Sequence, residues 1–329
     1  MIGQVTKPFV TICLVTFNSG HVIEQSLRSL QEALAASRIA YEIRVVDNGS
    51  DDDTVEILRR IRPEAQIIEN YTNLGYAKAI NQAVKDSQAN WLLFLNPDTI
   101  VTTDLFLFLQ NVDPIKYIDV FSPLLVDKDG KPIRTAYRWP TVTRELARLF
   151  GLASVIQKII PWIQDPLPER ERLTFPDPIK EASAVDYVAG ACLFIRRPLW
   201  ITIGLFDENF FLYHEEMEWC WRAHQQGFRV FVLHESKIVH LDKQSSRESP
   251  KEVPLWKYQG LLYFYKKHRS LPERAILRSA IFITFGARMA VARLLHHKEA
   301  DIYGKIAWSA IRNIHRMIPP TAKEHTDIV

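Results

Sequence analysis

Strand-like and helix-like patterns of apolar residues alternate along the first hundred positions of the chain. An apolar, β-branched run at 9–17 precedes apolar positions at helical spacing between Val22 and Leu34. Strand-like runs follow at 42–46, 67–69 and 91–95, and helical patterns separate them at 53–61 and 76–87. This alternation is typical of α/β proteins whose mainly parallel sheet is buried on both faces. We therefore predict a doubly wound, Rossmann-like α/β fold.

Polar residues follow three of these strands, at the edge where such sheets bind ligands. They are Asn18, which follows Phe17, then Asp47 with Asn48, and Asn96 with Asp98. Pro97 removes a backbone donor and keeps Asn96 extended, so Asp98 is presented beyond the sheet edge. One carboxylate together with substrate phosphates commonly holds Mg²⁺ or Mn²⁺, which favours a diphosphate ligand. The alternative for Asp98 is a turn former or a helix cap.

The densest group of carboxylates lies among aromatic and aliphatic residues between Asp207 and Glu218. Burial and neighbouring like charges both oppose ionisation, so this segment predicts a carboxyl group with a raised pKa, suited to a general base. The alternative is an ordinary charged helix start. In that case Glu218 pairs with Arg222 four residues later, and Glu215 and Glu216 lie near a helix N-terminus. The segment taken alone leaves both interpretations open.

Further candidate groups lie elsewhere in the chain. Residues 73–78 begin a helix with Gly75 and the cation Lys78, an arrangement that can receive negative charge. A proline-rich stretch at 138–184 contains one helical pattern, 144–160, and predicts an insertion or lid. Strand patterns resume at 185–195, interrupted by Gly190, and at 228–233 and 237–240. His240 ends the last of these strands, where it is a candidate ligand for the metal or phosphates, or else a structural histidine.

The C-terminal region has a different pattern. Between residues 275 and 295 the charged residues are Arg278, Arg288 and Arg293, which fall with Arg274 in an arc of roughly 140°. A second helix is predicted at 305–318. Its expected polar side carries Lys305, Ser309, Arg312 and Arg316, and its expected apolar side carries Ile306, Ala310, Ile311, Ile314 and Met317. Basic amphipathic helices suit an anionic membrane surface, although docking on the chain's own core or on a second subunit is the alternative. Neither segment is free of charge over the roughly 20 residues that span a bilayer.

Composition narrows the class of protein further. The chain has 329 residues, 47% of them hydrophobic and 24% charged, which indicates a globular protein with a large core. A net charge of +3 without an aromatic and basic binding motif argues against nucleic acid as a partner. Three isolated cysteines favour a reducing, cytoplasmic compartment. The first nine residues lack the pattern of a signal peptide.

Eight short motifs occur in the order found in family 2 glycosyltransferases, and the chain resembles the rhamnosyltransferase branch of that family over roughly residues 9–245. The motifs are Val15–Ser19, Val45–Asp51, Asn73–Tyr76 with Asn81, Leu95–Asp98, Val188–Ala191, Gly204–Glu208, Phe211–Glu216 and Val239–His240. Each motif has modest specificity, whereas their order is highly specific. The family usually has aspartate at position 216 and often at 218, where this chain has glutamate.

The resemblance implies a GT-A fold, a nucleotide-diphospho-sugar donor, a divalent cation (Mg²⁺ or Mn²⁺) and inversion at the anomeric carbon. By position, Phe17 would lie against the nucleotide base and Asp47 would bond its edge. Asp98 and His240 would hold the metal and diphosphate, and Glu216 would be the catalytic base, with Glu215 beside it. The full expected donor site is Thr16, Phe17, Asn18, Asp47, Asn48, Gly75, Lys78, Asn81, Asn96 and Asp98.

The branch resemblance favours dTDP-rhamnose as donor and a role in cell-surface polysaccharide synthesis. We expect a saccharide or polyprenyl-diphosphate-linked acceptor, with Arg138, Trp139 and Tyr213 as candidate acceptor-binding residues. Residues 1–265 are the expected catalytic domain, with 138–184 as its lid. Residues 266–329 are the expected helical region. Through this region we expect the protein to lie peripherally at the cytoplasmic face of the inner membrane. A homodimer is left open.

Two other classes stay open at this point. Sugar-nucleotidyltransferases also handle nucleotide diphosphates, but they usually carry a glycine-rich loop with Arg and Lys after the first strand. The segment Val15–Asn18 has no such loop. A non-catalytic saccharide-binding or scaffold protein of the same fold is the other alternative, and the presence of Asp98, Glu216 and His240 argues against it.

Overall fold

The computed structural model describes residues 7–102, 104–113, 115, 118–151, 171–174, 180–241 and 252–312. The strands are β1 Val10–Thr16, β2 Tyr41–Asp47, β3 Gln66–Glu69, β4 Trp91–Leu95, β5 Thr99–Val101, β6 Val120–Val126, β7 Ala136–Tyr137, β8 Glu171–Thr174, β9 Glu181–Val185, β10 Tyr187–Val188, β11 Cys192–Arg196 and β12 Val230–His240. The helices are α1 Gly20–Ser37, α2 Thr54–Ile61, α3 Tyr76–Val84, α4 Leu105–Val112, α5 Val142–Leu149, α6 Arg197–Ile203, α7 Glu215–Gln225, α8 Val253–His268, α9 Leu271–Leu294 and α10 Ala300–Ile311.

A ten-stranded sheet in the order β3-β2-β1-β4-β11-β6-β12-β9-β8 organises the fold, with β5 paired to β12. The half formed by β3, β2, β1 and β4 is parallel, as the alternating pattern predicts. Beyond it, β11 runs antiparallel to β4 and β6, and β6 and β12 are again parallel. The sheet is therefore mixed, and the predicted α/β class is confirmed. A separate antiparallel pair, β7 and β10, lies outside this sheet.

Helices cover both faces of the sheet because its central strands are apolar on both sides. Every residue of β4, Trp91–Leu95, is buried. Trp91, Leu93 and Leu95 face an apolar cluster formed with α1, α2 and α4, whereas Leu92 and Phe94 face a second cluster formed with α3 and α6–α10. Burying one such large side chain contributes about 1.5–3 kcal/mol, so these two layers dominate the stability of the fold.

Several predicted elements have different boundaries in the structure. The two strand patterns at 228–233 and 237–240 form a single strand, β12, whose register shifts between Leu233 and Lys237. The pattern at 185–195 covers the last residue of β9, all of β10 and most of β11, with Gly190 in the turn between β10 and β11. The helix predicted at 144–160 begins earlier, as α5, and residues 152–160 lie outside the described part of the chain.

The C-terminal helices pack into the same apolar cluster as the sheet. Helix α8, which the sequence patterns did not predict, contains position 265, so the expected domain boundary falls inside a helix. The predicted sides of α10 are partly wrong. Ser309 is buried and accepts a hydrogen bond from Gln259 (Nε2 to Oγ 3.2 Å), whereas Ile311 is 49% exposed. Arg316, Ile314 and Met317 lie outside the described residues.

A basic amphipathic helix would turn its arginines toward solvent, but two of the arginines of α9 bind other parts of the protein. Arg278 donates from Nε to the carbonyl oxygen of Ala310 (2.7 Å), and Arg288 donates from Nη2 to the carbonyl oxygen of Leu149 (3.2 Å). These two cations therefore join α9 to α10 and to the end of α5. The opposite side of α9 is apolar and exposed, with Ile276 and Ile283 as examples.

One close contact ties α3 to the segment before α7, and it requires glycine. Gly75 has φ +88° and ψ 164°, and a Cβ there would lie 2.5 Å from the carbonyl oxygen of Phe211. The next amide, that of Tyr76, donates to this same oxygen at 2.7 Å. Gly130 also has a positive φ of +77°, but an added Cβ would meet nothing within 4 Å.

We predict that Gly75→Ala lowers the unfolding free energy by about 1–3 kcal/mol more than Gly130→Ala does, because it adds a steric clash to the backbone strain. Urea denaturation of the two variants beside the unsubstituted protein measures the difference. Equal losses of stability would mean that the backbone near Phe211 moves away from the added methyl group without a loss of folding free energy.

Candidate functional site

The loop after β2 is held by a buried carboxylate. Asp47 Oδ1 accepts hydrogen bonds from Thr16 Oγ1 (2.7 Å) and Ser50 Oγ (2.6 Å), and Oδ2 accepts from the amides of Gly49 (3.1 Å) and Ser50 (2.8 Å). The side chain of Asp47 thus fixes the loop that closes the carboxyl ends of β1 and β2. Its four bonds are all made within the chain.

The neighbouring asparagines continue this framework. Asn18 has a left-handed backbone (φ 47°), and its Oδ1 accepts from the amide of Asp51 at 2.9 Å. Phe17 is half-buried beside it. Asn48 is buried and donates from Nδ2 to the carbonyl oxygen of Gly75 at 3.3 Å, which joins the loop to the start of α3. Five of the predicted donor-site residues (Thr16, Phe17, Asn18, Asp47 and Asn48) therefore lie together with Gly75.

Asp98 and His240 come together from different parts of the chain. The antiparallel pairing of β5 with β12 sets His240 opposite Thr99, next to Asp98. His240 Nε2 lies 3.3 Å from Asp98 Oδ1, and the carboxylate is fully buried. Among the described residues no group of three or more His, Cys, Asp or Glu side chains is placed to hold a metal. One carboxylate and one imidazole fit a Mg²⁺ or Mn²⁺ ion that takes its other ligands from a bound diphosphate and water.

Glu216 lies at the same edge of the sheet. The amide of Asn96 donates to the carbonyl oxygen of Ala191 at 2.9 Å, which places the turn before β11 beside the end of β4. A Cβ added to Gly190, in that turn, would lie 3.8 Å from Cγ of Glu216. The absence of a side chain at Gly190 lets the first turn of α7 approach the edge that carries Asp98.

Two adjacent carboxyl groups in this first turn have raised pKa values. Burial raises the pKa of Glu216 to about 7, and hydrogen bonds from backbone amides oppose the shift only in part. Burial and the charge of Glu216 raise the pKa of Glu215. Each has an Oε2 that is buried and accepts no hydrogen bond within the described part of the chain, and the hydroxyl of Tyr76 is likewise unpartnered there. The pair can therefore hold or release a proton near neutral pH.

Glu218 differs from both of these groups. It pairs with Arg222 at 3.0 Å, as the charged-helix interpretation predicts, but its side chain is fully buried. Lys267 Nζ (2.7 Å) and His268 Nε2 (3.0 Å) also contact its Oε1. Burial opposes the ionisation of Glu218, but the bond from His268, the charge of Arg222 and the bond from Lys267 outweigh it, and the pKa is lowered. Glu218 thus anchors α7 to α8 as a carboxylate.

A strained turn leads into α7. Tyr213 and His214 both have left-handed backbones (φ 69° and 75°), which is uncommon for residues other than glycine. Burial lowers the pKa of His214 to about 4, so the imidazole is neutral, and its Nε2 donates to the carbonyl oxygen of Lys257 at 2.9 Å. A Cβ on Gly260 would lie 2.6 Å from Cδ2 of His214. Sequence patterns give no signal for His214 or Gly260, because their contact joins two separate helices.

The predicted acceptor-binding residues have different surroundings. Trp139 is 7% exposed and stacks on Tyr187 with a centroid distance of 5.4 Å. Its amide donates to Asp186 Oδ2 at 2.6 Å. Arg138 is exposed, and Lys257 Nζ lies 4.6 Å from the ring centroid of Tyr213. Of the three, Arg138 has the most freely accessible side chain.

Two predicted donor-site residues face away from this group. Asn81 donates from Nδ2 to the carbonyl oxygen of Phe206 (2.9 Å), and Oδ1 of Asn81 accepts from the backbone amide of Phe206 (3.1 Å). These two bonds hold the segment before α7 against α3. Lys78 lines a groove of about 570 Å³ between α3 and α6, together with Ile201 and Glu208. The structure therefore does not bring Lys78 and Asn81 to the edge that carries Asp98.

The raised pKa of Glu216 predicts a pH dependence of stability. A carboxyl group that binds its proton more tightly in the folded chain contributes stability below its ordinary pKa of 4.5, and this contribution is lost as pH rises through about 7. We expect Glu216→Gln to flatten the fall of unfolding free energy between these pH values. Urea denaturation across pH 4–8 measures the slope, with the exposed Glu32→Gln as control. An unchanged slope in Glu216→Gln would show that this group does not titrate differently on folding.

Residues 11–153 match the family model for glycosyl transferase family 2. The chain is 24% identical over 251 residues to the N-acetylglucosaminyl-diphospho-decaprenol L-rhamnosyltransferase of Mycobacterium tuberculosis, covering 73% of this chain and 78% of that protein. It is 22% identical over 316 residues to the low-salt glycan biosynthesis hexosyltransferase Agl10 of Haloferax volcanii, covering 93% and 91%.

Solved structures share the architecture. A mannosyltransferase from Pyrobaculum calidifontis in complex with GDP-Man and Mn²⁺ matches with a TM-score of 0.52 at 14% identity, covering 93% of this chain and 86% of that one. S. aureus TarS 1-349 in complex with UDP matches with a TM-score of 0.51 at 17% identity, covering 92% and 88%. These similarities confirm the predicted GT-A fold. The chain is therefore similar to glycosyltransferases of family 2, in sequence over residues 11–153 and in fold.

Proposed function

We propose that this protein is an inverting, metal-dependent glycosyltransferase that uses Glu216 as its general base. The observation that carries the proposal is the position of Glu216, a carboxyl group with a pKa of about 7, at the sheet edge where Asp98 and His240 meet. A base with a pKa near the working pH combines a sufficient ionised fraction with a useful affinity for the proton.

In the proposed reaction Glu216 accepts the proton of an acceptor hydroxyl while the oxygen attacks the anomeric carbon of the donor. The new C–O bond forms as the bond to the nucleotide diphosphate breaks, and the diphosphate leaves with the electron pair. Attack opposite the leaving group inverts the anomeric carbon. Asp98 and His240 would hold a divalent cation, which when bound neutralises charge on the departing diphosphate. Orientation by the fixed loops supplies a further part of the acceleration.

The proposed donor pocket is the framework of Thr16, Phe17, Asn18, Asp47, Asn48 and Gly75, extended by Asn96 and Asp98. Nucleotide diphosphates as the donor class are supported by the UDP and GDP-Man complexes of the structural neighbours. We propose dTDP-rhamnose as the donor because of the similarity to an L-rhamnosyltransferase. The name of that relative also supports a saccharide on a polyprenyl diphosphate as acceptor, with Arg138, Trp139 and Tyr213 at its entrance.

We further propose peripheral contact with the cytoplasmic face of the membrane through α9, as part of the helical region after residue 265. This helix is long and apolar enough to cross a bilayer by length and composition, with a mean hydropathy of 1.5 and 28% of that window buried. One side, with Leu277, Ile281 and Phe285, packs against the protein. The other side exposes Ile276 and Ile283, so an orientation in the plane of the interface suits it better than a span.

For the base, we predict that Glu216→Gln lowers turnover by about 10²–10⁴-fold while donor binding is retained, because the amide cannot accept the proton. In the unsubstituted enzyme, turnover should rise as pH passes through about 7, where Glu216 ionises. Sugar transfer from radiolabelled donor measures both. Glu215→Gln is the matched control, since it changes the adjacent carboxyl. A larger loss in Glu215→Gln than in Glu216→Gln would reverse the assignment.

For the metal, we predict that a nucleotide diphosphate raises the melting temperature more with Mn²⁺ than without it, because a ligand specific to the folded state stabilises it by mass action. A panel of dTDP-, UDP- and GDP-sugars identifies the donor class. Asp98→Asn should abolish the effect of Mn²⁺, whereas Asp129→Asn, in an exposed turn, should retain it. A full Mn²⁺ effect in Asp98→Asn would remove Asp98 from the metal site.

A further inference from the structure

A small cleft between α8, α9 and α10 collects positive charge. Its lining includes Lys266, Arg274, Arg278, Arg312, Tyr265 and Ser309, and no carboxylate lines it in the described part of the chain. The nearest acid on α9, Glu273, is bound to Ser270 in the capping box that begins the helix. Four cations around one cleft repel each other, so an anion bound there would stabilise the arrangement.

The cleft is fixed in shape by its own contacts. Arg278 donates to the carbonyl oxygens of Ala310 (2.7 Å) and Ile311 (2.5 Å), at the C-terminal end of α10. Tyr265 is 1% exposed, and its hydroxyl has no hydrogen-bond partner among the described residues. Such a buried polar group is costly unless a ligand or water satisfies it. The cleft has a cavity volume of about 10 Å³, room for one oxygen atom of a ligand rather than for a whole nucleotide.

The exposed apolar side of α9 borders this cleft. Leu271 (73% exposed) and Phe282 (45% exposed) lie within about 40° of Arg278 around the helix axis. The apolar side continues around the helix to Ile276 and Ile283. A cationic cleft beside an exposed apolar helix face matches the boundary between the phosphates and the acyl chains of a bilayer.

We propose that this cleft binds the phosphate of an anionic phospholipid headgroup and thereby fixes how the enzyme sits on the membrane. The inference rests on the proposed membrane contact of α9, and it adds a defined headgroup site to that contact. Lys266 would contact the phosphate from α8, Arg274 and Arg278 would contact it from α9, and Arg312 would contact it from the residue that follows α10.

Flotation of the full chain with vesicles tests the site. Vesicles of phosphatidylcholine alone are compared with vesicles that also contain 30% phosphatidylglycerol. Arg274→Gln and Arg293→Gln remove the same charge from the same helix, but Arg293 lies roughly 22 Å along α9 from Arg278. Either substitution removes one positive charge, and the loss of general electrostatic attraction to the anionic membrane should lower the affinity for vesicles by about fivefold. We expect Arg274→Gln to lose about tenfold more affinity for phosphatidylglycerol vesicles than Arg293→Gln does. Equal losses would overturn the site.

Two further arms separate the possible causes of failure. Ile276→Ser with Ile283→Ser should weaken binding to both kinds of vesicle, and unchanged binding would overturn the membrane contact itself. Inorganic phosphate, compared with chloride at equal ionic strength, should compete only weakly with vesicles. Inorganic phosphate could instead raise the melting temperature of the protein in the absence of vesicles, with no such rise in Arg274→Gln. In that case the cleft binds free phosphate and the lipid assignment is wrong. Nucleotide-sugar binding should be unchanged in every variant, so a failure of the proposed transferase reaction is detected separately.

Discussion

The burial of two adjacent carboxyl groups at the start of α7 is the constraint on which the site depends. Water would stabilise the ionised forms of Glu215 and Glu216, and removing it raises both pKa values. The fold tolerates this cost because α7 is held firmly from other directions. The buried ion pairs of Glu218 join it to α8, and the packing of His214 against Gly260 fixes the turn that precedes it.

Three neighbouring glutamates thus have different properties although they share one helix. Glu218 meets Arg222, Lys267 and His268 and stays ionised, which gives it a structural role. Glu216 has backbone hydrogen bonds but no counter-ion in direct contact among the described residues, and its proton is exchangeable near neutral pH. Because all three are glutamates on the same helix, the difference in their pKa values comes from the partner groups that each one meets, which for Glu218 lie on both α7 and α8.

The C-terminal helices show how packing can reverse the meaning of an amphipathic pattern. Arg278 and Arg288 look like a membrane-facing basic side in sequence, yet both bind backbone carbonyls of neighbouring helices. The apolar residues Ile276 and Ile283 remain exposed instead. Since α9 has more apolar surface than α8 and α10 cover, one apolar side is left facing outward. The proposed membrane contact therefore depends on the exposed apolar residues of α9, and not on a row of arginines that all face solvent.

Local patterns determined the parallel half of the sheet, the helices between its strands and the polar residues at their carboxyl ends, because period and turn chemistry act over a few positions. The positions of Asp98 and Asp47 at one edge follow from that topology and could be predicted, whereas Glu216 was expected in the site only from the family resemblance. Only the tertiary structure decided three other contacts. Asn81 donates a hydrogen bond to the backbone of Phe206, Glu218 pairs with Lys267 of α8, and the missing side chain of Gly260 allows His214 to pack against it. Those outcomes depend on which distant groups meet in the folded chain, and neither residue type nor spacing specifies such long-range contacts.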